Sequence, residues 1–160
     1  MAETQHRYAV TVTWTGNTGS GTGGYRGYER AHTLSAPGKP PIAGSSDPAF
    51  RGDPACWNPE ELLVASLAAC HKLWYLGLCA QAGLVVTAYE DTAEGRMTEE
   101  AGGAGQFTAV TLRPRVTITA ESDPDAALAL HRRAHAMCFI ARSVTFSVTH
   151  EPTIVREGAD

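Results

Sequence analysis

Asn58-Pro59-Glu60-Glu61-Leu62-Leu63-Val64-Ala65-Ser66-Leu67-Ala68-Ala69-Cys70, continuing through His71 to Gln81 and closed by Gly83, decides the fold. Asn58 suits a helix N-cap, and Pro59 suits the first helical position, where no amide hydrogen is needed. Glu60 and Glu61 favour the positive end of the helix dipole. Gly83 supplies the left-handed residue that commonly ends a helix. Between these signals the segment is apolar nearly all round. Such a helix is expected at the centre of a molecule, covered on most sides.

Working outward, Tyr8 to Thr15 alternates, with Val10, Val12 and Trp14 on one face and Thr11, Thr13 and Thr15 on the other. This predicts a half-buried strand. Gly16 to Gly24 reads as a loop, and Tyr25 to Leu34 as a return strand. Ala36 to Trp57 carries Pro37, Pro40, Pro41, Pro48 and Pro54 and reads as a long irregular connection. After the helix, Leu84 to Met97 and Gln106 to Ala120 read as strands. Ser122 or Asp123 caps a second helix that starts with Pro124 and runs to about Arg142. Ser143 to Thr149 alternates through Val144, Phe146 and Val148, and Ile154-Val155 ends the sheet. The expected class is α+β, with mostly antiparallel strands wrapped around two central helices in one domain, residues 1–160.

Composition narrows the function. Of 160 residues, 43% are hydrophobic and 19% charged, which suits a globular core. The net charge of −4 argues against a nucleic-acid partner. No uninterrupted apolar run approaches the roughly 20 residues of a membrane span, and the first residues lack a signal-peptide pattern. A soluble cytoplasmic protein with no membrane partner is expected. The four cysteines, Cys56, Cys70, Cys79 and Cys138, do not make a secreted disulfide scaffold.

Several motifs were weighed. Gly19-Ser20-Gly21-Thr22-Gly23-Gly24 has the letters of a dinucleotide-binding loop. Tyr25-Arg26-Gly27-Tyr28 follows it without the helical periodicity that mechanism requires, so a hairpin loop is the better reading. Arg51-Gly52-Asp53 is an adhesion tripeptide by letters alone. His131, His135 and Cys138 stand at i, i+4 and i+7 on a helix, and their donors suit zinc or copper. A fourth ligand is not obvious, since His71 or Cys70 would have to come from the other helix, and an amphipathic stripe is the plainer account. Cys70 and Cys79 fall on opposite sides of one helix. Cys70 and Cys138 sit in different helices, both candidates for the core, where packing makes them a redox pair. A reactive member needs a positive neighbour to lower its pKa.

The segment Asn58 to His71 resembles the OsmC/Ohr family of organic hydroperoxide reductases. The shared pattern is Asn-Pro-Glu-x-Leu, a run of small residues, then Ala68-Ala69-Cys70. Ala134-His135-Ala136-Met137-Cys138, followed by a short apolar strand, is a second point of similarity. The resemblance spans roughly Tyr8 to Pro152 and follows the family's element order. It implies a thiol peroxidase with an intertwined homodimer and two sites at the interface, acting on an organic hydroperoxide with an external dithiol as reductant and no cofactor. By the same resemblance Cys70 is the peroxidatic cysteine, Cys138 the resolving one and Glu60 the carboxylate that anchors an arginine. That arginine is Arg51, with Arg26 as the second choice. Phe139 stands where many members have proline. An apolar pocket of Leu, Trp and Phe side chains is expected to favour organic peroxides.

The alternative is a metal- or small-ligand-binding dimer of the same fold, without catalysis. One geometric expectation builds on the roles that the resemblance implies. Along a straight helix, Glu60 and Cys70 lie about 15 Å apart at roughly 1.5 Å per residue. Glu60 and Arg51 are therefore expected to serve Cys70 and Cys138 of a partner protomer.

Overall fold

The computed structural model describes residues 1–159 and divides into two compact units, Met1–Leu62 and Leu63–Asp160. In the first unit, β1 (Thr11–Trp14), β2 (His32–Ser35) and β3 (Ile42–Gly44) form an antiparallel sheet in the order β1-β2-β3. Val12 faces Leu34 across the first pair, and Leu34 faces Ile42 across the second. The return strand begins at His32, later than the expected Tyr25. Gly27 N–H donates to Gly24 O at 2.9 Å, and the Arg30 guanidinium donates to the carbonyls of Tyr25 and Tyr28. Those bonds hold residues 25–30 in turns. The glycine-rich loop is a loop, with Gly19 and Gly21 at positive φ. At Gly16 any Cβ would overlap the backbone of Glu29.

The segment expected to be irregular contains β3 and a 3-10 turn at Pro48–Phe50. Ser45 N–H donates to Trp57 O at 2.9 Å and ties the end of β3 to the helix entrance. The alternation around β1 does not mark a half-buried face. Val10, Val12 and Trp14 are 64%, 63% and 43% exposed.

The sequence boundaries of α1 (Pro59–Gln81) are met at both ends. Glu61 N–H donates to Asn58 Oδ1 at 2.8 Å, and Asn58 N–H donates to Glu61 Oε2 at 3.2 Å. This reciprocal capping box satisfies two amides that the helix itself leaves free. At the other end Gly83 adopts φ 73°, and Leu84 N–H reaches back to Cys79 O at 2.9 Å. Within α1 only Leu67, His71, Tyr75, Leu78 and Cys79 are buried. Ala65, Ala69, Leu73, Gly77 and Ala80 are exposed, so the helix is covered on one face and not on most sides. By length and composition alone α1 is apolar enough to cross a membrane, contrary to the expectation that no run approaches a span. The same helix contributes residues to both buried clusters of the second unit.

The two long strands expected after α1 are four: β4 (Val86–Asp91), β5 (Glu94–Glu99), β6 (Gly105–Leu112) and β7 (Pro114–Ile118). β4 pairs with β7 and β5 with β6, both antiparallel. The break falls at Thr92-Ala93 and Arg113, where Arg113 N–H leaves the ladder and donates to Asp91 Oδ1 at 2.7 Å. One long hairpin is thereby divided between two sheets, β4-β7-β9 and β5-β6-β8. β8 (Ser147–His150) and β9 (Thr153–Arg156) join in parallel with β6 and β7, so these two sheets are mixed, while four of the six strand pairings are antiparallel, as expected. Between β7 and β8 the helix α2 (Pro124–Met137) supplies the crossover that a parallel pairing needs.

Asp123 is the cap of α2: its Oδ1 accepts from Asp125 N–H at 2.9 Å. Ser122 Oγ instead accepts from Val85 N–H at 3.0 Å. The helix stops at Met137, short of the expected Arg142, and a 3-10 turn follows at Ala141–Ser143. One core cluster joins Tyr75, Leu78 and Cys79 to Val116, Ile118, Ala127 and Ala134; the other joins Leu67 to Val110 and Leu112. Burying each large aliphatic side chain contributes roughly 1.5–3 kcal/mol. The class is α+β, as expected.

Candidate active site

Cys70 lies in the middle of α1 and is half-buried, whereas Cys138 is 1% exposed. Cys138 is the residue that ends α2, not a member of the helix. Its backbone is extended there, and its sulfur accepts from Ala141 N–H at 3.4 Å. Burial pushes the Cys138 thiol up to about 11; the amides of Ala141 and Ile140 oppose the shift, and the adjacent Cys70 thiol adds to it. The second unit thus brings the two expected cysteines together as free thiols, one accessible and one shielded. Cys79 belongs to the core at 1% exposure, where burial pushes its thiol up.

Helical spacing aligns Leu73, Trp74 and Gly77 with Cys70, at i+3, i+4 and i+7. With Leu78, Gln81 and Phe139 these three line a cavity of about 340 Å³. Trp74 and Phe139 meet edge to face at 5.4 Å between ring centroids. Phe139 follows Cys138 directly, so both thiols are next in sequence or one helical turn from an apolar wall.

His131, His135 and His71, singled out from sequence as candidate ligands, form a group that His150 joins. His71 and His131 are 1% and 0% exposed, and His71 Nε2 lies 2.9 Å from His131 Nδ1. His131 stacks on Tyr75 at 3.8 Å, and His150 lies 5.6 Å from both His71 and His135. Burial, with His150 and His135 nearby, pushes His71 down to about 4. Burial, with His71 and His150 nearby, pushes His131 down to about 3. His71 Nδ1 and His131 Nε2 are buried without partners. The signal was present in the sequence: His71 and Tyr75 are one turn apart, as are His131 and His135.

The metal reading of His131, His135 and Cys138 fails on geometry. Among the described residues, no group of three His, Cys, Asp or Glu side chains is arranged to hold a metal ion. His131 Nδ1 is engaged by His71, and α2 ends before Cys138, which breaks the stripe.

Arg51 and Glu60 belong to the first unit. Arg51 ends the 3-10 turn in a left-handed conformation, φ 65° and ψ 24°, the one such non-glycine among the described residues. That costs about 1 kcal/mol. The turn is held by Ala49 N–H to Asp47 Oδ1 at 2.7 Å and Gly52 N–H to Asp47 O at 3.1 Å. Gly52 is required, because a Cβ would overlap the Ser46 carbonyl. Arg51 and Arg26, the two choices for the site arginine, line the same cavity. Neither forms an ion pair among the described residues. The expected Arg51–Glu60 pair is therefore not made within this chain, and Glu60 Oε2 is buried without a partner.

Residues 52–153 match the family described as OsmC-like protein. An OsmC-like protein of unknown function from Vibrio cholerae is 33% identical; the match covers 93% of this chain and 100% of that one, with a TM-score of 0.83. An organic hydroperoxide resistance protein from Elizabethkingia anophelis is 16% identical, with coverage of 96% and 100% and a TM-score of 0.66. The organic hydroperoxide resistance protein OhrB of Bacillus subtilis is 17% identical, with coverage of 92% and 98% and a TM-score of 0.57. These last two show likeness of fold. No curated protein matches the chain.

Proposed function

Because this chain belongs to the OsmC-like protein family, we propose that it is a thiol-dependent peroxidase that reduces organic hydroperoxides to alcohols. The observation that carries this reading is the Cys70–Cys138 pair, with its contrast in exposure. The accessible Cys70 thiolate attacks the distal peroxide oxygen; the O–O bond breaks, and the alkoxide leaves as alcohol after taking a proton. Cys70 is left as a sulfenic acid. The Cys138 thiol then condenses with it, forming the S–S bond and releasing water. An external dithiol returns both cysteines to thiols by exchange. A shielded, neutral Cys138 suits the second step, since it does not compete for peroxide. The cavity of Leu73, Trp74 and Phe139 favours an organic over a hydrogen peroxide.

Arg51 and Glu60 complete the proposal from a second protomer. A guanidinium stabilises the thiolate and orients the peroxide, and the Glu60 carboxylate, unpaired with Arg51 in the single chain, closes on it when the dimer forms. Glu60 Oε2, buried and unpartnered, supports a cation there. The exposed apolar sides of β1 and α1 support a homodimer. The test is hydroperoxide consumption by purified protein with a dithiol. Cys70→Ser is expected to abolish it and Cys79→Ser to leave it largely intact; an inactive Cys79→Ser beside an active Cys70→Ser would sink the assignment.

A further inference from the structure

Three arginines of the first unit meet at one cavity of about 550 Å³, whose wall includes Thr18, Arg26, Tyr28, Arg30, Arg51 and Asp53. Residues 1–62 contain five basic residues, Arg7, Arg26, Arg30, Lys39 and Arg51, so most of their positive charge is gathered in one place. None of the three is in an ion pair among the described residues. Two carboxylates are at the wall, Glu29 and Asp53. Asp53 is already committed: its Oδ1 accepts from Ala55 N–H at 2.8 Å, and its Oδ2 lies 4.0 Å from the Cys56 thiol. Three guanidinium groups therefore face two carboxylates, which leaves the wall with an excess of one positive charge.

One member of the cationic wall is held in advance. Arg30 donates to Tyr28 O at 2.5 Å and to Tyr25 O at 2.6 Å. Its guanidinium lies over the Tyr28 ring at 3.9 Å and over the Tyr25 ring at 4.4 Å. A guanidinium has five N–H donors, so Arg30 keeps donors free after these two bonds. Arg51 is placed by its left-handed backbone, and Gly52 lets the chain pass the Ser46 carbonyl. Arg30, so held, loses little side-chain freedom when a ligand arrives, whereas Arg26 and Arg51 are exposed. The size lies within the roughly 300–1,000 Å³ of small-molecule sites, more than one inorganic ion fills. Guanidinium forks match carboxylate and phosphate oxygens in pairs, and the Tyr28 hydroxyl adds a neutral donor, whereas the Thr18 hydroxyl donates to Gly27 O at 2.8 Å.

We propose that this cavity binds a small organic anion through a carboxylate or phosphate group, held by Arg26, Arg30 and Arg51. The inference goes beyond the peroxidase reading: it shares Arg51 with that reading, and Arg26 as the second choice, but it uses neither cysteine, and every residue of the cavity lies between Thr18 and Asp53.

Titration calorimetry of the full chain at constant ionic strength tests it, with inorganic phosphate and with hexanoate as probes. Saturable binding of one probe per chain is expected for at least one of them; phosphate alone assigns a phosphate site, and hexanoate alone a carboxylate site. Arg26→Gln and Arg30→Gln should each weaken it about tenfold or more. Arg30 also anchors its loop, so the exposed Arg26 is the decisive variant, with its circular dichroism and Tm unchanged. Cys70→Ser should bind as the parent does even where peroxide reduction is lost. The proposal is overturned if neither probe binds up to about 10 mM, if Arg26→Gln binds like the parent, or if Cys70→Ser abolishes binding.

Discussion

His71 Nε2 and His131 Nδ1 are 2.9 Å apart, and the two rings are nearly parallel. One nitrogen donates and the other accepts, and burial holds both imidazoles below their usual range, so both are neutral near pH 7. Their outer nitrogens are buried without partners. The groups around them are His135 and His150, the Tyr75 ring, and Arg132 beyond His150; Asp125 lines the outer cavity with His150 and Arg132. No neighbouring carboxylate is among the causes of their shifts, so a second proton would create an uncompensated charge.

This predicts acid lability. Both histidines titrate lower in the folded chain than at the usual 6.5, near 4 for His71 and near 3 for His131. Below pH 6.5 the unfolded chain binds more protons than the folded one, so stability falls as pH falls. Each histidine contributes a slope of up to about 1.4 kcal/mol per pH unit through that window. Urea midpoints measured from pH 7.5 to 4.5 should drop steadily. In the His71→Phe, His131→Phe double variant the slope should fall by about half or more. A parent midpoint flat across this range would contradict the neutral, buried pair.

Peroxide treatment should link Cys70 to Cys138 within one chain and leave Cys79 as a thiol. Non-reducing peptide mass spectrometry reads this directly. A stable sulfinic acid on Cys70 beside a free Cys138 would mean that Cys138 does not resolve.

Phe139→Ala opens the wall that Trp74 and Phe139 form by their edge-to-face contact. Phe139 is 67% exposed, so folding should survive the change. KM for a bulky aromatic hydroperoxide should rise about fivefold to tenfold, from lost apolar contact, with hydrogen peroxide turnover nearly unchanged. Equal loss for both peroxides would place the substrate elsewhere.

Arg51→Gly should separate stability from activity. Glycine adopts φ 65° without penalty, so the variant should match the parent or gain up to about 1 kcal/mol in urea unfolding. Peroxide reduction should nevertheless fall sharply if Arg51 is the site arginine. Should the activity persist and Arg26→Ala be the inactive one, the role passes to Arg26.

Sharing of sites between protomers has its own test. Cys70→Ser and Glu60→Ala chains, each inactive, should regain about half of the parent activity per mixed dimer, since one site carries both lesions and the other neither. No recovery despite verified subunit exchange would place each site within one chain.

The sequence determined what depends on neighbours along the chain. Asn58, Pro59 and Glu61 mark the start of α1, and Gly83 its end, because capping bonds span only three to five residues. The Ala-Ala-Cys pattern at Cys70 was legible for the same reason. Tertiary structure alone decided the rest. It set the end of α2 at Met137 and left Cys138 outside the helix, where burial and the Ala141 amide act on its sulfur. It split one hairpin between two sheets at Arg113, through a bond to Asp91 that is 22 residues away. It joined His71 to His131 across 60 residues and gathered Arg26, Arg30 and Arg51 around one cavity. Period and capping report only local geometry; which charges and rings meet depends on how packed elements exclude water, and that is a property of the whole fold.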